Sequence, residues 1–135
     1  MRAPRVVLTA TAVASVLLFA APNALAASAT SDAVGGDVTC SVKGVGMQDS
    51  TFTCGIRDTK ADGHTAAMQY RLHYSWSNNN SDTMLAKNQN GNGTTVTWKQ
   101  VYAEGVSLEF RAVVLRTFNS YGAWKRLNGE RVAGG

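Results

Sequence analysis

The chain has 135 residues, a formal net charge of +4 and 44% hydrophobic residues. Residues 1–26 hold two arginines and no acid, so residues 27–135 carry 11 basic against 9 acidic residues, a net +2. That length makes one domain, the even charge excludes a nucleic-acid groove, and the composition excludes a multidomain enzyme or a charged disordered tail.

Arg2 and Arg5 form a positive n-region at the start of the chain. The run from Val6 to Ala21 is apolar, and Pro22-Asn23 breaks it. Ala24-Leu25-Ala26 then offers the small-x-small pattern that signal peptidase reads. Residues 1–26 are therefore expected to be a secretory signal peptide cleaved before Ala27. No second apolar run of spanning length follows, so an extracellular protein without membrane insertion is expected.

Residues 27–37 (ASATSDAVGGD) are small, polar and without periodicity, which predicts a flexible N-terminal arm. Residues 38–130 carry the folded domain, and residues 131–135 a frayed tail. From Val38 onward the chain alternates in short runs separated by turn residues, with no period of 3.6. Val38 to Lys43 and Ser50 to Arg57 are strands bearing Cys40 and Cys54. An oxidising compartment favours pairing these two, closing a loop of about 15 residues. Neighbouring strands and strands facing across a sandwich both permit that pairing, and the spacing leaves the choice open.

The run from Ala66 to Trp76 alternates most clearly, with Met68, Tyr70, Leu72, Tyr74 and Trp76 on one face. Met84 to Lys87 is a short edge strand. Thr94 to Tyr102 follows, with Val96 and Trp98 inward. Val106 to Thr117 is the second strong strand, and from Ala112 to Leu115 both of its faces are apolar. That end is covered on both sides or meets a partner. Asn119 to Gly122 reads as a turn, and Ala123 to Leu127 as the closing strand. Six or seven short strands predict an all-β, single antiparallel sandwich of immunoglobulin-like type with one disulfide. A small barrel is the alternative.

Candidate chemistry is sparse. Asp58, Asp62 and His64 suggest an ion site, but the calcium-loop ladder is absent and Lys60 stands between the acids, so a polar turn is expected and no metal. His73 falls on the polar face of its strand with no nucleophile motif beside it, and reads as an exposed histidine. The oxidised cysteines remove a thiolate nucleophile. Neither an enzyme nor a cofactor is expected. Trp76 and Trp98 fall on apolar faces and are expected in the core, whereas Tyr121 and Trp124 stand near a turn as candidate contacts. Arg57, Arg71, Arg111, Arg116, Lys125 and Arg126 read as part of a mixed solvated surface.

The leader ending Ala24-Leu25-Ala26, the segment Asp58-Thr59-Lys60-Ala61-Asp62-Gly63-His64, and Val106-Ser107-Leu108-Glu109-Phe110-Arg111-Ala112 with the later Trp124 resemble small exported β-sandwich proteins of actinobacteria. These are similar to the adaptor subunit of secreted umbrella toxin particles. The resemblance implies a subunit linking a lectin-bearing partner to a large repeat-bearing toxin chain, its arm inserted into a cleft of the former. Here the arm's most insertable part is Ala33-Val34-Gly35-Gly36, whose small side chains allow close backbone approach.

The expected role is thus a non-enzymatic protein-binding adaptor using the arm and a sheet face. Val113, Leu115, Tyr121 and Trp124 are the candidate residues on the sheet or its loops. A carbohydrate-binding module and a secreted hydrolase inhibitor are the alternatives.

Overall fold

The computed structural model describes residues 26–45 and 49–129. The expected leader lies outside them up to Leu25, as do Glu130 and the expected tail. The described residues contain nine strands, all paired antiparallel, and no helix. They are β1 (Ala26–Ala33), β2 (Gly36–Val45), β3 (Asp49–Asp58), β4 (Thr65–Tyr74), β5 (Met84–Asn88), β6 (Thr95–Ala103), β7 (Val106–Leu115), β8 (Ser120–Tyr121) and β9 (Lys125–Leu127).

Two sheets form a sandwich. The first has the order β1-β2-β3-β6 and the second β9-β7-β4-β5, with β8 also on β7. Between them lies one core, containing Val38, Val42, Phe52, Ile56, Met68, Leu108 and Phe110. Every second residue of β7, from Val106 to Ala112, points into it, so the alternation in the sequence becomes one buried face. Trp98 packs against this core and meets Tyr70 at 4.9 Å between ring centroids.

The two cysteines are direct partners on neighbouring strands β2 and β3, and their disulfide is fully buried. It ties one sheet internally, unlike the bridge between sheets that marks antibody domains.

Several expectations change. Residues 27–33 are not a free arm: they form most of β1, which pairs with β2 from Ala26↔Lys43 to Ala33↔Gly36. The inward residues of β1 are Ala29, Ser31 and Ala33, small enough to sit where the sheets meet at an edge. Val34-Gly35 is the hairpin turn, with Gly35 at φ 99°. Gly36 is buried, and a Cβ there would come within 2.9 Å of the Ala66 Cβ. Neither Gly36 nor the core-packed Ala33 can be inserted into a partner. Val34 remains available at 64% exposure.

Trp76 is outside the core at 64% exposure. Strand β4 ends at Tyr74 because the Ser75 N–H donates to the Gly105 carbonyl and the Ser77 N–H to that of Tyr74, turning the chain away. The Trp76 ring stacks on Tyr74 instead. Ser120 and Tyr121 extend β7's sheet as β8 and are not a turn.

The sandwich is fastened along both sides by a buried polar side chain. On one, the Ser31 hydroxyl donates to the Ala123 carbonyl (2.7 Å) and accepts from the Ala112 N–H (2.9 Å). On the other, the Asn88 amide donates to the carbonyls of Ile56 and Thr94, each at 2.9 Å. These bonds bring strand edges of the two sheets together and satisfy groups that burial would otherwise leave unpaired.

Candidate functional site

The outer face of the second sheet gathers the side chains with most chemical capacity. Register sets Arg71 opposite Glu109, Gln69 opposite Arg111, and His73 opposite Ser107. Between β8 and β9 the chain bulges: Gly122, Ala123 and Trp124 face only Arg111 and Ala112 of β7. The extra residue shifts the alternation, so Tyr121 and Trp124 both fall on this outer face.

A ladder of stacked rings and guanidinium groups results. The Arg111 Cζ lies 3.9 Å from the Tyr121 ring centroid and 4.6 Å from that of Trp124, while the Arg71 Cζ lies 4.3 Å from Trp124. Such stacking pairs each cation with the negative face of a ring. The Arg111 Nε–H also donates to Gln69 Oε1 at 2.8 Å, and Asn119 Nδ2 donates to the Tyr121 hydroxyl at 3.2 Å. At the far end Arg71 Nε donates to Glu109 Oε1, and His73 Nε2 approaches the same oxygen at 3.0 Å. Burial alone would push the Glu109 carboxyl up. The hydrogen bonds and charges of His73 and Arg71 outweigh it and hold Glu109 below its ordinary range.

Charge separates the two outer faces. The second sheet carries Arg71, Lys87, Arg111 and Arg126 against Glu109, which is four minus one, or +3. The first carries Lys43, Arg57 and Lys99 against Asp32, Asp37 and Asp49, which is three minus three, or zero.

Of the expected contact residues, Tyr121 (47% exposed) and the half-buried Trp124 stand together in the ladder. Leu115 is half-buried at the end of β7. Val113 is fully buried between Ala67 and Tyr121, so it supports the face and cannot touch a partner. His73, expected to be exposed, has only 17% of its side chain accessible because Glu109 draws it down onto the sheet.

Val34 and Phe118, the latter 86% exposed, mark the end of the sandwich beyond the ladder. Arg116 links the local turns there, its Nη2 lying 3.4 Å from both the Val34 carbonyl and Asp62 Oδ2. The Asp62 carboxyl accepts the His64 N–H at 3.0 Å, the main reason it titrates below the usual range. Asp58 is buried and accepts the Lys60 N–H. Asp58 thus closes β3, Asp62 and His64 lie in the polar turn that follows, and no group of three metal-ligating side chains occurs among the described residues.

Ser107, His73 and Glu109 are the residue types of a hydrolytic triad. The Ser107 hydroxyl, however, donates to Asn128 Oδ1 at 3.1 Å and not to the imidazole, so no base is placed to take its proton in this arrangement. The fold and this face define a disulfide-tied β-sandwich with an arginine–aromatic surface. No protein-family model matches the chain, and no curated protein is significantly similar to it.

Nothing in the sequence alone marks Arg71, Glu109 and Arg111 as contact residues. Their strand parity placed them outward, but the signal that joins them is the β4–β7 register, which alternation does not encode.

Proposed function

We propose that the protein is a secreted, non-enzymatic adaptor that binds another protein through the outer face of its second sheet. The observation that carries this reading is the Tyr121–Arg111–Trp124–Arg71 ladder on a face of charge +3. Arginine, tyrosine and tryptophan are the side chains that most often dominate protein interfaces. Stacking also holds these long side chains in place before binding, which lowers the entropy lost on association. The positive face selects an acidic partner surface.

Val34 and Phe118 extend the surface as an apolar edge at the neighbouring end. The docking element of the N-terminal segment is then a hairpin turn anchored to the sandwich, in place of a free arm. By its resemblance to toxin-particle adaptors, the candidate partners are a lectin-bearing subunit and a large repeat-bearing chain.

Affinity capture with C-terminally tagged protein from culture supernatant of its own host tests this. Wild type should retain a lectin-bearing or repeat-bearing chain at fixed ratio, and the Tyr121→Ala/Trp124→Ala variant should lose it while staying folded. A partner-free monomer, or equal retention by the folded variant, contradicts the proposal.

A further inference from the structure

Beside the ladder, where β4, β7 and β9 run toward the Glu104–Gly105 corner, lies a cleft of about 360 Å³. Its walls include Arg126, His73, Ser75, Ser107 and Asn128, and among the described residues none of its lining side chains is acidic. Arg126 has no ion-pair or hydrogen-bond partner among the described residues. Asn128 spends its Oδ1 on the Ser107 hydroxyl, which leaves its amide N–H groups to donate elsewhere. The backbone is fitted to this opening. Gly105 has φ 92°, and a Cβ there would come within 2.5 Å of the Ser75 hydroxyl and 3.0 Å of the Trp76 ring. Only glycine lets the corner turn so close to these side chains.

We infer that this cleft receives a carboxylate of the protein partner, an aspartate, a glutamate or its C-terminus, with Arg126 as the cation and Asn128 and Ser75 as further donors. This rests on the docking reading above and places a specific anion pocket at one end of the docking face. The reasoning is one of balance. A site offering an unpaired guanidinium, an amide and hydroxyls, with no carboxylate among its described lining residues, is complementary to an anion. Glu109, the cross-strand partner of Arg126, is already shared by Arg71 and His73 and forms no ion pair with Arg126 or with the ladder's Arg111, and Glu104 beside Gly105 is not among the lining residues. Arg126 and Glu109 are cross-strand partners in β9 and β7, so the cleft and the ladder belong to one continuous surface.

Titration of the isolated protein with sodium N-acetyl-aspartate, followed by NMR at constant ionic strength, tests the pocket without any partner. Saturable shifts are expected at the Arg126 Nε–H, the Asn128 amide and the backbone N–H groups of Gly105 and Gly129. Arg126→Gln should weaken binding by about tenfold, the loss of one charge-assisted contact. Shifts that rise without saturation, or that sodium chloride reproduces, overturn the inference. So does a folded Arg126→Gln protein that binds as wild type. Saturation by glucuronate with none by N-acetyl-aspartate would assign the cleft to an acidic saccharide and overturn the protein partner. A blank titration with capture still dependent on Tyr121 and Trp124 removes the pocket alone, whereas an intact titration without capture removes the docking reading.

Discussion

The Ser31 hydroxyl lies 2.7 Å from the Ala123 carbonyl and links the first strand of one sheet to the bulge in the other. The same oxygen accepts the Ala112 N–H, which the bulge leaves without a ladder carbonyl. A single side chain therefore compensates for the backbone irregularity that turns Trp124 outward. Ser31→Ala should destabilise the protein by about 1–3 kcal/mol, the cost of leaving buried polar groups unpaired. Urea unfolding measures it, and an unchanged midpoint would mean that the edge closes without the hydroxyl.

Gly122, in the bulge, packs directly against the backbone of β1. A Cβ there would meet the Asp32 carbonyl oxygen and the Ser31 hydroxyl, both at 2.5 Å. Gly122→Ala should cost about 3 kcal/mol or shift the bulge, because backbone cannot yield as a side-chain tip can. Trp124 fluorescence should change with it, since the bulge sets that ring's position under the arginines. A variant as stable as wild type, with the same emission, would contradict this packing.

Glu109 gives the fold a pH dependence of definite sign. Its carboxyl titrates below the ordinary value of 4.5, so its bonds to Arg71 and His73 stabilise the protein above that pH. The contribution fades as pH falls through the lowered folded-state value. Glu109→Gln should cost about 1–2 kcal/mol at pH 7, a figure reduced for partial exposure, and the difference should shrink in acid. Unfolding curves for both proteins from pH 7 down to about pH 3 show it. A gap that stays constant or widens in acid would refute the assignment.

Cys40 and Cys54 close a loop of about 15 residues, worth about 3 kcal/mol in the chain-entropy model. The bridge is wholly buried, with Cys40 Sγ 3.9 Å from Met68 Sδ. Reduction in native buffer should therefore be slow and should accelerate once denaturant opens the sheet. Rapid thiol release from the native protein would show that β2 and β3 separate readily.

Strands β4 and β7 are legible in the sequence because each buries one face, and parity alone sorts Met68 and Phe110 from Arg71 and Glu109. Strand β1 is not, because its inward residues Ala29, Ser31 and Ala33 are small and leave no hydrophobic period. Trp76 shows a different limit: alternation continues past Tyr74, while the strand stops at a hydrogen bond to the distant Gly105. The contact face was half legible. Tyr121 and Trp124 stand out as aromatics near a turn, but what joins them to Arg111 and Arg71 is a register and a one-residue bulge, both set by tertiary pairing.

The most direct measurement of the central proposal is partner affinity for two charge reversals, one on each outer face. Arg111→Glu alters the ladder, whereas Lys99→Glu alters the exposed face of the first sheet. The docking face proposed here predicts loss of binding by more than about tenfold for Arg111→Glu, strong salt dependence in wild type, and no change for Lys99→Glu. Equal binding by wild type and a folded Arg111→Glu protein, or loss confined to Lys99→Glu, would contradict it.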